Sequence, residues 1–339
     1  MDKIAKASAA DRAAFFLDVH GKLPEISAAI VEKDFWVCWT LRRIFEVLQF
    51  RPHLIFKGGT SLSKVYRAIE RFSEDVALSL SRRHHGFADA RAPEQKGISK
   101  TEARLGLEAL VTECQAVVRE KLVPELRRDF AVVLGGSGWS VELDAADPQT
   151  VLFSYPTTEI SRGIVYVRPF IRLEMGARSD DWPAADAEVT PYAAKAYPSL
   201  FSIRSCRVRT LAAERTFWEK ATLLHAEYHR PLDKPSRERL SRHYYDLYRL
   251  SLQPIAQRAL AELALLDRVI AHKSFFFAQA WAHYDTARPG TFHLLPAADR
   301  LDALRKDYAD MEPMIFGKAP GWNEIVRELS RLETLINGL

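Results

Sequence analysis

The chain has 339 residues, 47% hydrophobic and 27% charged, and its 15 Gly and 17 Pro are too few for a collagen-like, linker or disordered polymer. It is long enough for two domains. Three widely separated cysteines, Cys38, Cys114 and Cys206, have no CxxC spacing, which argues against a disulfide framework or a structural zinc–thiolate site and points to a reducing compartment. The net charge of +4 is mild, but Phe201 to Leu250 holds eleven Lys/Arg against six Asp/Glu. A phosphate-bearing partner requires such clustering, and a charged helical surface produces it too. No apolar run at the start suits a signal peptide, and no window approaches the roughly 20 apolar residues of a membrane span, so a cytoplasmic protein with no membrane partner is expected.

Asp11 to Phe50 carries aromatic and aliphatic residues at three- and four-residue spacings (Phe35, Trp39, Ile44, Leu48), which predicts helices packed on a core. Pro52 ends that run. Leu54-Ile55-Phe56 reads as a short strand, Lys57-Gly58-Gly59 as a turn, and Thr60 to Tyr66 as a helix opening with hydroxyl caps. A polar loop, Glu70 to Asp75, leads to a second strand over Val76 to Leu80. His84 to Gln95 reads as a loop, with His84-His85 solvated, and Lys100 to Phe130 as one or two amphipathic helices.

Strands are expected at Ala131 to Leu134 and Trp139 to Leu143, with Gly135-Gly136-Ser137-Gly138 as the hairpin turn between them. Val151 to Tyr155 and Ile164 to Met175 read as further strands, the last interrupted by Pro169. The pattern shifts over Val189 to Ser202 and is helical in period from Thr210 to Leu339, which sets the expected domains at 1–200 and 201–339.

The sharpest chemical signal is Phe56-Lys57-Gly58-Gly59-Thr60-Ser61-Leu62-Ser63-Lys64, followed by Arg71-Phe72-Ser73-Glu74-Asp75. Two glycines after a strand let a phosphate approach the backbone, and the helix that follows aims N–H groups and a positive dipole end at it. The GxxxxGK[ST] spacing of a P-loop is absent. A bare glycine turn also serves as a tight connection, so Asp75 carries the added weight: a carboxylate at the mouth of the next strand can hold a divalent metal against a triphosphate.

This stretch resembles the first motif of the AbiEii/AbiGii-type nucleotidyltransferase toxins, MenT toxins included, within the polymerase-beta-like superfamily. Their pattern is a glycine pair on a strand-to-helix turn and then a strand carrying Asp-apolar-Asp. A second resemblance lies in Glu214-Arg215-Thr216-Phe217-Trp218-Glu219-Lys220 and Arg242-His243-Tyr244-Tyr245-Asp246-Leu247. The resemblance implies an α+β polymerase-beta-like domain with a small mixed sheet, and a C-terminal all-helical domain that closes over the cleft and supplies Lys220 and Asp246. It implies Mg²⁺ or Mn²⁺, an NTP as nucleotide donor, the 3′ end of tRNA as acceptor with a block of translation, phage defence, and an antitoxin encoded nearby.

Carried onto this chain, Asp75, Lys220 and Asp246 are the expected catalytic residues. Lys57, Gly58, Gly59, Thr60, Ser61, Lys64, Arg71 and Ser73 are expected around the phosphates, with Arg242 and His243 positioning substrate. The metal set is Asp75, position 77 and Glu174, which shares a strand face with Arg172 by parity. The chain departs from the family at one place: Ala77 stands where the second aspartate belongs. Side chains two apart on a strand share a face, so a ligand is missing there and an impaired enzyme is expected, with Ala77 an inactivating replacement of Asp. Nucleotidylation of a protein or small molecule, and a nucleotide-binding pseudoenzyme, are the other readings. His225 and His229 lack the glutamate that a zincin needs, and Ser61 and Ser63 lack His/Asp partners for a hydrolase.

Overall fold

The computed structural model describes residues 1–95, 97–161 and 168–339. Thus 164–167, the start of the strand expected from Ile164, lies outside the described residues. The chain divides into two compact units: 1–65 with 73–211, and 66–72 with 212–339. The break follows Leu211, not residue 200, and a seven-residue segment early in the chain belongs with the late helices.

The first unit opens with α1 (Asp2–Ala5), α2 (Ala9–Lys22) and α3 (Ala28–Arg42), the last running on into a π turn at Arg43–Val47. Ser8 and Ser27 cap α2 and α3 by accepting from Asp11 N and Ile30 N. Every residue of α3 from Ala28 to Leu41 is buried. Its apolar side is an aromatic cluster in which Trp39 meets Phe130 and Phe130 meets Phe153, at ring centroids of 4.8 and 4.7 Å. Three consecutive buried charges on α3 each need a partner. Glu32 accepts from Thr158 N and Oγ1 at 2.8 and 2.9 Å, Lys33 donates to Glu74, and Asp34 accepts from Lys64 and from Tyr192 N.

The strands are β1 (Leu54–Lys57), β2 (Asp75–Leu80), β3 (Ser140–Leu143), β4 (Thr150–Ser154), β5 (Ile171–Gly176), β6 (Ala184–Val189) and β7 (Cys206–Leu211). Among the described residues they form one mixed sheet in the order β3-β4-β5-β2-β1-β7-β6. β1 runs antiparallel to β2 and parallel to β7, while β2 runs parallel to β5. The β2–β5 register pairs Asp75 with Arg172 and Ala77 with Glu174. On β5, Ile171, Leu173 and Met175 are buried and Arg172 and Glu174 face the other way.

The helices of this unit continue with α4 (Gly58–Lys64), α5 (Lys100–Val117), α6 (Val123–Leu134) and α7 (Tyr192–Ala196). The strand expected at Ala131 to Leu134 is the last turn of α6. Val123, Leu126, Phe130 and Val133 bury one helical stripe, Val132 is 78% exposed, and Gly135 ends the helix at a φ of +76°. Gly135 to Gly138 therefore joins a helix to a strand and is not a hairpin turn. β6 and β7 add strands that the sequence reading did not contain.

The second unit is helical: α8 (Ala213–Tyr228), α9 (Ser241–Ser251), α10 (Pro254–Ala261), α11 (Leu263–Phe276), α12 (Leu301–Met311) and α13 (Trp322–Asn337). Its core holds Trp218, whose Nε1 donates to Ala259 O at 3.1 Å, together with Tyr244, Tyr245 and Tyr308. The 66–72 segment is pinned within this unit. Phe72 N donates to Met314 O and Phe316 N to Glu70 O, both at 2.8 Å, and the Gln253 amide donates to Ala68 O. Among the described residues, no helix is long and apolar enough to cross a membrane.

Candidate active site

The first unit brings Asp75, Ala77, Arg172 and Glu174 onto one face of the sheet. Lys57 lies across from Ala77 on β1, so Lys57, Ala77 and Glu174 form a row. The Arg172 guanidinium stands between the carboxylates, with Nε 4.0 Å from Asp75 Oδ1 and 3.7 Å from Glu174 Oε1. Its Nη1 donates to Asp144 Oδ2 at 2.8 Å. Among the described residues, no three His, Cys, Asp or Glu side chains are grouped to hold a metal ion. The donor set on this face, two carboxylates flanking Ala77 with a guanidinium against both, does not fit a paired-ion centre.

The glycine turn joins this face. Gly58 has a φ of +79°, which favours glycine, and a Cβ built on it would lie a tight 3.3 Å from the Cβ of Ala77. The helix starts at Gly58, two residues earlier than expected, and no side chain caps it. The hydroxyls are used elsewhere. Thr60 Oγ1 lies 3.0 Å from Ser73 Oγ and donates to the Asp75 carbonyl, while Ser61 Oγ donates to Gly58 O at 2.8 Å. These bonds tie the turn to the start of β2, and Gly59 lies in the first turn of α4. Lys57 Nζ donates to Ser179 Oγ at 2.7 Å.

Two further residues expected at the phosphates, Lys64 and Arg71, are held by carboxylates. Lys64 is buried against Asp34, its Nζ 3.9 Å from the centroid of the Tyr192 ring. Burial works to lower its pKa, and Asp34, with Cys38 and Tyr192 adding to it, turns the balance so that the net shift is upward. Arg71 belongs to the second unit, where it grips Asp246 with Nε on Oδ1 at 2.7 Å and Nη2 on Oδ2 at 2.8 Å.

Asp246 also takes an ion pair from Lys220, Nζ to Oδ2 at 2.8 Å, and Lys220 lies 3.3 Å from His243 Nδ1. Arg71, Lys220 and Asp246 are all buried. Burial alone would raise the Asp246 carboxyl, and the charges of Arg71 and Lys220 override it and hold the group well below the usual carboxylate range. Burial pushes Lys220 down against the pull of Asp246. His243 is held neutral by burial, then by the charges of Lys220 and Arg242. A neutral ring accepts from the ammonium at Nδ1 and keeps its proton on Nε2. His243 is thus a lysine-holding residue in this arrangement, with Arg242 contributing its charge beside it.

The sequence reading did not contain the Asp144 contact or the Arg71–Asp246 grip. Asp144 lies in the turn after β3, where Oδ1 accepts from Ala146 N at 2.9 Å, and Asp-Ala-Ala-Asp carries no signal beyond a turn. Both ring nitrogens of His225 are used within the second unit: Nε2 meets His283 O at 3.0 Å and Nδ1 accepts from His293 N at 3.0 Å.

No curated protein matches the chain. Among solved structures it is similar to the MenT4 nucleotidyltransferase toxin of Mycobacterium tuberculosis, at 14% identity and a TM-score of 0.40, over 97% of this chain and 99% of that one. The family model described as nucleotidyl transferase AbiEii toxin, type IV TA system, matches residues 39–328, which include every residue of the glycine turn, of β2 and of the Lys220–Asp246 network. The chain belongs to the AbiEii nucleotidyltransferase toxin family.

Proposed function

We propose that this chain is a toxin that transfers a nucleoside monophosphate from an NTP to the 3′ end of tRNA and so blocks translation, and that Ala77 stands where the active form carries a metal-binding aspartate. In such a transfer the acceptor hydroxyl oxygen bonds to the α-phosphorus and gives its proton to solvent, the bond from that phosphorus to the α,β-bridging oxygen breaks, and pyrophosphate leaves with the electron pair. The Lys220–Asp246 ion pair carries this reading: two motif residues meet at 2.8 Å in a buried setting, which supports Lys220 as the ammonium that would stabilise charge on the departing pyrophosphate.

Asp246, doubly paired and strongly acidic, orients Lys220 and is a poor base. The glycine turn at Gly58 and Gly59, with Lys57 and Ser73 beside it, serves the phosphates. Arg207 and Arg209, exposed on β7, and the basic excess after residue 200 suit a polyanion contacted through its phosphates. Mg²⁺ is assigned to the form with aspartate at 77, held by Asp75 and that residue. Family membership implies a cognate antitoxin, encoded nearby, and a role in phage defence.

The test incubates the chain and its Ala77→Asp variant with each labelled NTP, total tRNA and Mg²⁺. Labelled tRNA is expected from the variant alone. Label on protein would replace the acceptor. NTP binding without transfer by the variant would favour a binding pseudoenzyme, the second reading that Ala77 and the Arg172 guanidinium support.

A further inference from the structure

The β2–β5 face already holds a cation supplied from within the chain, the Arg172 guanidinium. Arg172 is cross-strand neighbour to Asp75 on one side and to Leu152 on the other, so its stem cannot leave this face without a slip of register. A guanidinium is planar and presents its donors as a rigid fork that matches a carboxylate. Asp144 anchors it at 2.8 Å, and Asp144 is itself fixed twice: Oδ1 accepts from Ala146 N, and its own N–H donates to Thr150 O at 2.9 Å. Thr150 is also the cross-strand neighbour of Glu174, so one residue of β4 borders both the anchor and one of the two carboxylates.

We infer that Arg172 is a built-in counter-ion of the Asp75–Glu174 face, latched by Asp144, which takes the electrostatic place of a divalent cation and keeps the affinity of this chain for one low. A dication shared by Asp75 and Glu174 would sit beside a fixed positive charge already within 4.0 Å of both carboxylates. Expelling that charge means breaking the bond to Asp144. An aspartate at 77 would lie in the row between Glu174 and Lys57 and add the negative charge that favours the ion over the guanidinium. With alanine there, Arg172 prevails. The inference rests on the reading of this face as a nucleotide-and-ion face, and ion binding is measured apart from transfer, so the two can fail separately.

The experiment titrates the full chain with Mn²⁺ and follows the free ion by electron paramagnetic resonance, with no nucleotide or tRNA present. Arg172→Gln should bind Mn²⁺ at least about tenfold more tightly than the parent, since a unit charge some 4 Å away acts twice as strongly on a dication as on a monovalent ion. Arg172→Lys keeps the charge and should stay near the parent. Adding Asp75→Asn to Arg172→Gln should erase the gain. Equal affinity of the parent and Arg172→Gln, with unchanged unfolding midpoints, overturns the inference, and so does a gain that survives Asp75→Asn. If Arg172→Gln does not fold, Arg172→Met, which keeps the apolar stem, answers the same question. Mn²⁺ binding that rises in Arg172→Gln while Ala77→Asp transfers nothing would sink the proposed activity and leave this inference standing.

Discussion

Arg71 grips Asp246 through two parallel hydrogen bonds, although 175 positions separate them in the chain. Both side chains are buried, so neither charge has water to fall back on. Arg71→Ala leaves the carboxylate with Lys220 as its remaining cation in this network, and the second unit should lose about 3–5 kcal/mol in urea unfolding. Arg71→Lys should recover only part of that, because an ammonium cannot reproduce the fork. Equal midpoints for Arg71→Ala and the parent would show that the grip contributes nothing.

Lys273 on α11 donates to Glu219 O at 2.6 Å, and burial, opposed by Glu219, pushes it down from 10.5 to about 7. Between those values the unfolded chain binds the proton more readily, so stability rises with pH from about 7 to 10.5, by at most about 1.4 kcal/mol per unit. Lys273→Met should flatten that limb and unfold at higher denaturant than the parent at pH 7. A limb of the same slope in the variant would place its origin elsewhere.

His225 is pushed from 6.5 down to about 4, first by burial and then by the charge that His229 carries when protonated. The folded value lies below the unfolded one, so stability is lost as pH falls through that window, when the unfolded chain takes up the proton first. Protonation at Nδ1 would also break the bond from His293 N. Thermal unfolding between pH 7 and pH 4 should show this loss, reduced in His225→Gln.

Gly58→Ala should cost about 1–2 kcal/mol from the left-handed backbone alone. Its methyl group would also press on Ala77 at 3.3 Å. Unfolding midpoints of the two proteins measure the effect, and an unshifted midpoint would mean that the turn relaxes.

The glycine turn, β2 and the parity of Arg172 and Glu174 were legible because each rests on local spacing. So was the Trp-Glu-Lys helix, in which Trp218 is core and Lys220 buried. Pairings across long sequence separations were not legible. Lys64 and Arg71 read as phosphate ligands because nothing near them in the chain reveals Asp34 or Asp246. β7 is visible in principle: Cys206, Val208 and Thr210 alternate with Arg207 and Arg209, although arginines in a basic segment suit a charged helical surface as well as the outer face of a strand. Ala131 to Leu134 misled because four apolar residues cannot reveal their period without the stripe that precedes them.

The excursion of residues 66–72 means that the polypeptide passes between its two units at three places: after Val65, after Phe72 and after Leu211. A clone truncated at 211 would carry that ribbon without Met314 and Phe316, its hydrogen-bonding mates, and a clone beginning at 212 would lack the ribbon altogether. Dissecting this molecule into expressible halves therefore calls for a transplanted peptide or a permuted gene, because no single cut yields both halves whole.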